Sequence, residues 1–434
     1  MRVSAQSPDE QLALPLVYTS TPNYLPEAWL TGGERFPAGA TVMLRQNGTS
    51  RPLVTGLAAT ADPSISFDGS RVLVSGKQDT KSQWQIWEIA LVGGEPRQVT
   101  ACSADCIRPF YLPGDRVVYA RKSINRFVLE AASAAGGSAL QLTYAPGNAI
   151  ATDVLRDGRI LFEAAYPLGS GSSAEIYTVY SDGSGVESYR CDHGGTRKAG
   201  KQVSSGDIVF AKEQGLARFT SAVAHQLSLN APGGEFAGDV AQTPAGEYFV
   251  SWRPDSKSQF SLRFWNPGTD TFAPFVTDAG ASIVQPALIS ARATPNLHPS
   301  GLHDWNYANL LCLNAYTSKY QFAGGSIKST RLYTKASSGK PRLLGSSNVE
   351  ADGSFFLKVP ADQPLQIELL DDSGNTLKRE QGWLWMRKGE QRICVGCHSG
   401  PERAPENAVP AVLIKSTTPV DLTDSGMQSH KGGR

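Results

Sequence analysis

Two thiols and an imidazole stand close together in RICVGCHSGPERAPENAVP, the stretch from Arg392 to Pro410. They are Cys394, Cys397 and His398, spaced as C-x-x-C-H. That spacing suits covalent attachment of haem: two thiols reach the vinyl groups of one porphyrin edge, and the adjacent imidazole swings beneath the iron. Val395 and Gly396 are small enough to let the backbone fold tightly against the ring. Other chemistries fit less well. A structural zinc needs four ligands, usually with a second C-x-x-C or a His pair nearby. Cys102 and Cys106 have three residues between them and lie far from this stretch. A thioredoxin-like redox pair wants a βαβ context, which the surrounding pattern lacks. One covalently attached haem c is therefore expected, with His398 as the proximal iron ligand.

The other axial position decides the chemistry. A strong second protein ligand favours electron transfer, and an open position permits substrate binding. Pro401, Pro405 and Pro410 exclude a long uninterrupted helix after His398, so the far side of the haem must be covered by a segment distant in sequence. His298, in PNLHPSG, is the favoured distal ligand and His303 the alternative. Met386 reads as a core methionine, Met427 and His430 lie in a polar tail, and His193 and His225 are remote. Trp383 and Trp385 share a face of an expected strand shortly before Cys394. They either pack on the porphyrin edge or fill the core, and both are carried as candidate haem contacts.

The elements that must position this site are strands. Gly 43 and Pro 27, with strand-forming residues between them, point to short strands and many turns. From Tyr307 onward, SFFLKV and LQIELL alternate, separated by the turn signals EADG and DDSG. That pattern argues for a small β-sandwich-like domain over 307–434, with the haem stretch following its last strand.

Ahead of it lies a repeat. The unit Asp62–Thr100, DPSISFDGSRVLVSGKQDTKSQWQIWEIALVGGEPRQVT, is followed by an imperfect copy ending in Gly-Gly-x-x-x-Gln-x-Thr at Gly136–Thr143. Weaker copies follow, and Leu16–Gly56 makes an opening unit. A spacing of about 40–45 residues is that of a four-stranded propeller blade. Such repeats bury their faces only by closing into a ring. Six blades over 1–290 are expected, then a linker at 291–306, where ARATPNLHPSGLHDWN is polar and contains prolines. The runs SFDGSRVLVSG, QWQIWEIALVGGEPRQVT and LPGDRVVYAR resemble TolB-like propellers. The fold class is all-β.

Lys plus Arg, 41, nearly balance Asp plus Glu, 40, for a net charge of +1. No basic run is clustered, which argues against a nucleic-acid partner. No segment approaches the roughly 18 apolar residues of a membrane helix. The start, MRVSAQSPDEQLALPLVYTS, does not read as a signal peptide. Thioether attachment of haem nevertheless belongs outside the bacterial cytoplasm, so a periplasmic or extracellular location is expected. Export allows disulfides: Cys102 and Cys106 are the candidate pair, while Cys191 and Cys312 either pair or stay as buried thiols.

Taken together, LLCLNAY, VEADGSFFLKVPADQPLQIELLDDSGNTL and WLWMRKGEQRICVGCHSGPERAPENAVP resemble the haem-bearing domain of hydrazine synthase alpha-subunit-like proteins. The resemblance runs from Leu310 to Pro410 and includes Asp352-Gly353-Ser354, the Val359–Asp362 turn and Lys388-Gly389-Glu390. It implies a propeller beside a domain with haem held by Cys394, Cys397 and His398. That family carries more than one haem in its catalytic subunit, whereas this sequence has a single C-x-x-C-H. Hydrazine synthesis is therefore not carried over. The leading expectation is an exported c-type cytochrome for electron transfer, its propeller docking a redox partner protein or scaffolding a larger complex. The alternatives are a haem enzyme with an open axial site acting on a small nitrogen or oxygen species, and a propeller scaffold with a structural haem.

Overall fold

Short apolar runs broken by Gly- and Pro-bearing turns give strands in nearly every segment of the computed structural model. It describes residues 14–124, 126–168, 171–190, 195–222, 224–318, 320–336, 339–380, 382–397 and 407–423. Two units form. One comprises Met1–Leu142, Gly147–Ser181 and His193–His298; the other Thr143–Pro146, Asp182–Asp192 and Pro299–Arg434.

The first unit is a β-propeller of six blades among the described residues. Its opening blade runs Ser282–Leu288, Leu16–Thr21, Thr41–Gln46, Thr49–Pro52. The last strand of the unit thus closes the sheet that the first strand opens, with Leu16 opposite Leu288 and Ser20 opposite Ile283. The innermost strands of the next three blades are Ala59–Ile65, Cys106–Leu112 and Ala149–Val154. The fifth begins with Lys198–Gln202, and the sixth with the split pair Glu235–Phe236 and Ala241–Gln242. Neighbouring blades bury their faces against each other. Val17, Val42 and Leu44 pack on Ile65, Val72 and Val74, and Leu73 and Ile86 pack on Cys106, Tyr111 and Val117. Each such side chain contributes about 1.5–3 kcal/mol when fully buried, which is why no blade stands alone.

The inner strands share a device. Asp62, Arg108, Ala199, Asp239 and Gln285 all have φ between 50° and 58°, an uncommon region for non-glycine residues. Ladder irregularities accompany them, between Ala61 and Ser64, Ile107 and Phe110, and Lys198 and Lys201. Bulges of this kind re-aim a side chain. Here the re-aimed groups meet one another: Gln285 Nε2 donates to Asp62 Oδ1 at 2.6 Å, and Arg35 Nη2 and Ser75 Oγ donate to Asp62 Oδ2 at 2.6 and 2.8 Å.

The second unit holds two four-stranded sheets. One runs Gln391–Cys394, Tyr307–Cys312, Phe355–Pro360, Val420–Asp421; the other Pro341–Asn348, Ser329–Lys335, Leu365–Leu370, Thr376–Arg379. Alternation sends Ala308, Leu310 and Cys312, with Phe355, Leu357 and Val359, into a core shared with Leu332, Leu344, Leu365 and Leu369. A short helix, Ala411–Lys415, follows the stretch from Arg392 to Pro410. Its first amides are taken by Asp352 Oδ2 and Ser354 Oγ, at 2.7 and 3.0 Å. Among the described residues no helix is long and apolar enough to cross a membrane.

Candidate functional site

The C-x-x-C stretch grows out of an edge strand. Gln391–Cys394 pairs in parallel with Tyr307–Cys312, in a register that sets Cys394 opposite Cys312. Cys394 and Cys397 are half-buried and pack against the sandwich core. Burial pushes the Cys394 thiol up to about 11, with Arg392 opposing and the neighbouring Cys397 adding to the rise. Cys312 is 2 % exposed. A hydrogen bond with Cys397, followed by burial, holds its thiol well above the ordinary range. His398 lies outside the described residues.

The turn between the two thiols is tightly seated. A methyl group on Gly396 would stand 2.0 Å from the Thr317 carbonyl oxygen and 2.9 Å from that of Asn314. Leu313 N donates to the Cys394 carbonyl at 2.8 Å. The segment after Cys312 and the C-x-x-C turn therefore form one packed piece.

Upstream, buried charge fixes the approach of the strand. Glu390 is 6 % exposed. Its Oε2 accepts the Arg387 amide at 2.7 Å, and its Oε1 accepts Arg392 Nε and Nη2 at 3.0 and 2.8 Å and the Gly185 amide at 3.2 Å. Arg387 donates to the Asp182 carbonyl at 3.1 Å, to Asp362 at 2.6 Å, and to the Tyr144 hydroxyl. Arg392 Nη1 donates to the Val186 carbonyl at 3.2 Å. The segments 143–146 and 182–192 belong to this unit through such contacts. Sequence reading missed them, because they sit within the blade repeat and carry no haem-like signal.

The tryptophans divide. Residues 383–388 form no regular strand: an isolated bridge joins Leu365 to Leu384, and the Met386 carbonyl accepts the Asp362 amide at 2.9 Å. Trp385 is buried, with its Nε1 donating to the Gly183 carbonyl at 3.2 Å and its ring centroid 6.4 Å from that of Tyr144. A buried indole N–H needs a partner, and the Gly183 carbonyl supplies it. Trp383 is half-buried. Met386 is fully buried in the sandwich core, beside Leu384.

The expected distal ligands fall in different units. His298, in the propeller unit, is exposed and stacks on Tyr180 with ring centroids 3.7 Å apart. His303, in the second unit, stacks on Trp305 at 4.4 Å, and Trp305 stacks on Tyr307 at 5.3 Å. Its Nε2 lies 3.2 Å from Gln391 Nε2, three residues before Cys394. Gly389 crosses directly over it: a Cβ there would meet the His303 carbonyl oxygen at 1.8 Å. His225 is exposed on a loop. Cys191, His193, Met427 and His430 lie outside the described residues. Cys102 and Cys106 are joined as a disulfide.

The donors present suit a covalently held haem. Two half-buried thiols share a turn at a sheet edge, above an apolar core and beside a buried arginine–carboxylate pair. Among the described residues no cluster of three or more His, Cys, Asp or Glu side chains could hold a metal ion.

Residues 314–399 match the family model of the hydrazine synthase alpha subunit middle domain. Hydrazine synthase subunit alpha of Kuenenia stuttgartiensis is 36% identical over 61 residues, which is 14% of this chain and 8% of that protein. The structure of Kuenenia stuttgartiensis hydrazine synthase superimposes with a TM-score of 0.79 at 18% identity, over 93% of this chain and 71% of that one. TolB from Acinetobacter baumannii gives a TM-score of 0.49 at 12% identity, over 64% of this chain and 67% of that one. The chain is thus hydrazine synthase alpha-like, through sequence in the middle domain that bears C-x-x-C-H and through fold along nearly its whole length.

Proposed function

We propose that this chain is a c-type haem protein whose iron acts on a small nitrogen species, as a subunit of a larger exported redox complex. Cys394 and Cys397 would hold the porphyrin by thioether bonds, and His398 would ligate the iron. When bound, the haem supplies one-electron redox chemistry and a binding position for a small ligand. The protein's own part is to present two thiols on a turn that Gly396 packs onto 314–317, and to keep Arg392 neutralised by Glu390 beside them. The observation that carries an open axial position is the engagement of the described candidates. Met386 is sealed in the core, and His303 is held by Trp305, Gln391 and the crossing Gly389. The similarity to a protein named hydrazine synthase subunit alpha supports nitrogen chemistry as the class and subunit as the setting. Export follows from where thioether haem is made.

Electron transfer to a redox partner protein is the second reading, and one observation favours it. The stacked rings of His303, Trp305 and Tyr307, capped by Lys358 Nζ at 4.4 Å from the Tyr307 ring, lead onto the strand that pairs with Gln391–Cys394.

Co-expression with a haem-attachment system should yield a chain heavier by one haem, and Cys394→Ala with Cys397→Ala should abolish the gain. Carbon monoxide should then bind the reduced protein rapidly at neutral pH without denaturant. A reduced spectrum unmoved by carbon monoxide would instead assign the chain to electron transfer.

A further inference from the structure

We propose that Cys312 and Cys397 form a reversible disulfide before haem is attached, making Cys312 a third thiol that controls access to the C-x-x-C-H site. Its consequence for haem loading rests on the haem reading above, while the disulfide stands on thiol geometry alone. Cys312 is the last residue of Tyr307–Cys312 and the register partner of Cys394; adjacent strands lie about 4.8 Å apart. The turn then brings Cys397 back onto the same spot. Gly396 is seated against the carbonyls of Asn314 and Thr317, and Leu313 N holds the Cys394 carbonyl at 2.8 Å. Cys312 and Cys397 share one core cluster and a hydrogen bond. None of these three cysteines is in a disulfide, whereas Cys102 and Cys106 are already bonded to each other.

Exposure sets the order of events. Cys397 is half-buried and reachable, whereas Cys312 is 2 % exposed. The Cys397 thiolate attacks a small disulfide oxidant such as oxidised glutathione, giving a mixed disulfide and releasing one reduced thiol. The Cys312 thiolate then attacks the Cys397 sulfur; the protein disulfide forms and the second reduced thiol leaves. Two electrons pass from the cysteine pair to the oxidant's sulfur–sulfur bond, and the two thiol protons end on the released thiols. With its sulfur so occupied, Cys397 cannot add to a vinyl group until a dithiol reductant reverses both steps.

The test uses the full chain made without a haem-attachment system, treated with oxidised glutathione, capped with N-ethylmaleimide and peptide-mapped by mass spectrometry. The expected product is a linked pair of peptides containing Cys312 and Cys397, with Cys394 capped and the link lost in dithiothreitol. A Cys394–Cys397 link, or three capped thiols, overturns the proposal. In cells that attach haem under oxidising conditions, Cys312→Ala and Cys312→Ser should each raise haem per chain several-fold over wild type; equal loading overturns the control role. If no haem attaches to any form, the haem reading fails, and the peptide map of the wild-type chain still decides the disulfide.

Discussion

Arg108 and Asp239 form a two-point ion pair between opposite blades of the propeller, Nη1 to Oδ2 at 3.0 Å and Nη2 to Oδ1 at 2.9 Å. Each belongs to an inner-strand bulge, of the third and sixth blades respectively. The Arg108 Nε also reaches the Ala151 carbonyl of the fourth blade at 3.3 Å, and its amide reaches Asp62 of the second at 3.2 Å. Both side chains are about nine-tenths or more buried. Asp239→Ala would leave a buried guanidinium short of its main partner, a loss of about 3–5 kcal/mol. Replacing both residues by apolar ones of similar volume should cost less than either single change, since it leaves no charge behind. Denaturant unfolding of the four proteins measures this directly.

Glu163 gives the propeller a pH dependence. It is 3 % exposed and accepts the Ala199 amide. Burial, opposed by that amide and Arg108, pushes its carboxyl from 4.5 to about 7. Between those values the folded chain binds more protons than the unfolded chain, so stability falls as pH rises. The destabilisation is absent below about 4.5 and complete above about 7, reaching ~3 kcal/mol at 1.36 kcal/mol per pH unit. Glu163→Gln should remove this slope, so the difference in melting temperature between variant and wild type should grow from pH 4.5 to pH 7.

Gly396→Ala tests the seating of the turn. The new methyl would stand 2.0 Å from the Thr317 carbonyl oxygen, and a backbone atom cannot swing aside as a side-chain tip does. Relieving it must shift the turn against 314–317, at about 1–3 kcal/mol. Haem loading should fall with it, read as haem absorbance per chain, while Val395→Ala should leave loading near wild type.

The propeller was legible because its repeat is local. Each blade repeats the same strand and turn pattern, so six units could be counted without knowing which strands meet. The closing contact of Ser282–Leu288 with Leu16–Thr21 follows from ring closure alone. In the second unit, alternation in Phe355–Pro360 and Leu365–Leu370 gave the sandwich, and Met386, read as a core methionine, lies in its core. Three features had no local signal. The parallel pairing that sets Cys312 opposite Cys394 joins strands 82 positions apart in register. The segments 143–146 and 182–192 bind Arg387 and Arg392 mainly through backbone carbonyls, which any residue type supplies. Trp385 looked like a strand residue because alternation says nothing of where an indole N–H finds its acceptor.

Glu390 is the residue on which the approach to the thiols should depend most. It takes four donors, from Arg387 and Gly185 backbone and from two nitrogens of Arg392. Glu390→Ala would leave buried amides without acceptors and Arg392 without its counter-charge. A lost buried partner of this kind costs about 3–5 kcal/mol. Glu390→Gln keeps the shape and much of the acceptor geometry but not the charge, so it should fall between Ala and wild type. Arg392 also restrains the rise of the Cys394 thiol. With Glu390 neutral, the uncompensated arginine should draw that thiol downward and speed its alkylation. Iodoacetamide labelling of Cys394 against pH, in wild type and Glu390→Gln before haem attachment, checks the electrostatic part. Thermal unfolding of all three proteins checks the structural part. A Glu390→Gln chain that unfolds like wild type yet labels faster would show that the carboxylate's charge, and not its packing, sets the reactivity of the Cys394 thiol.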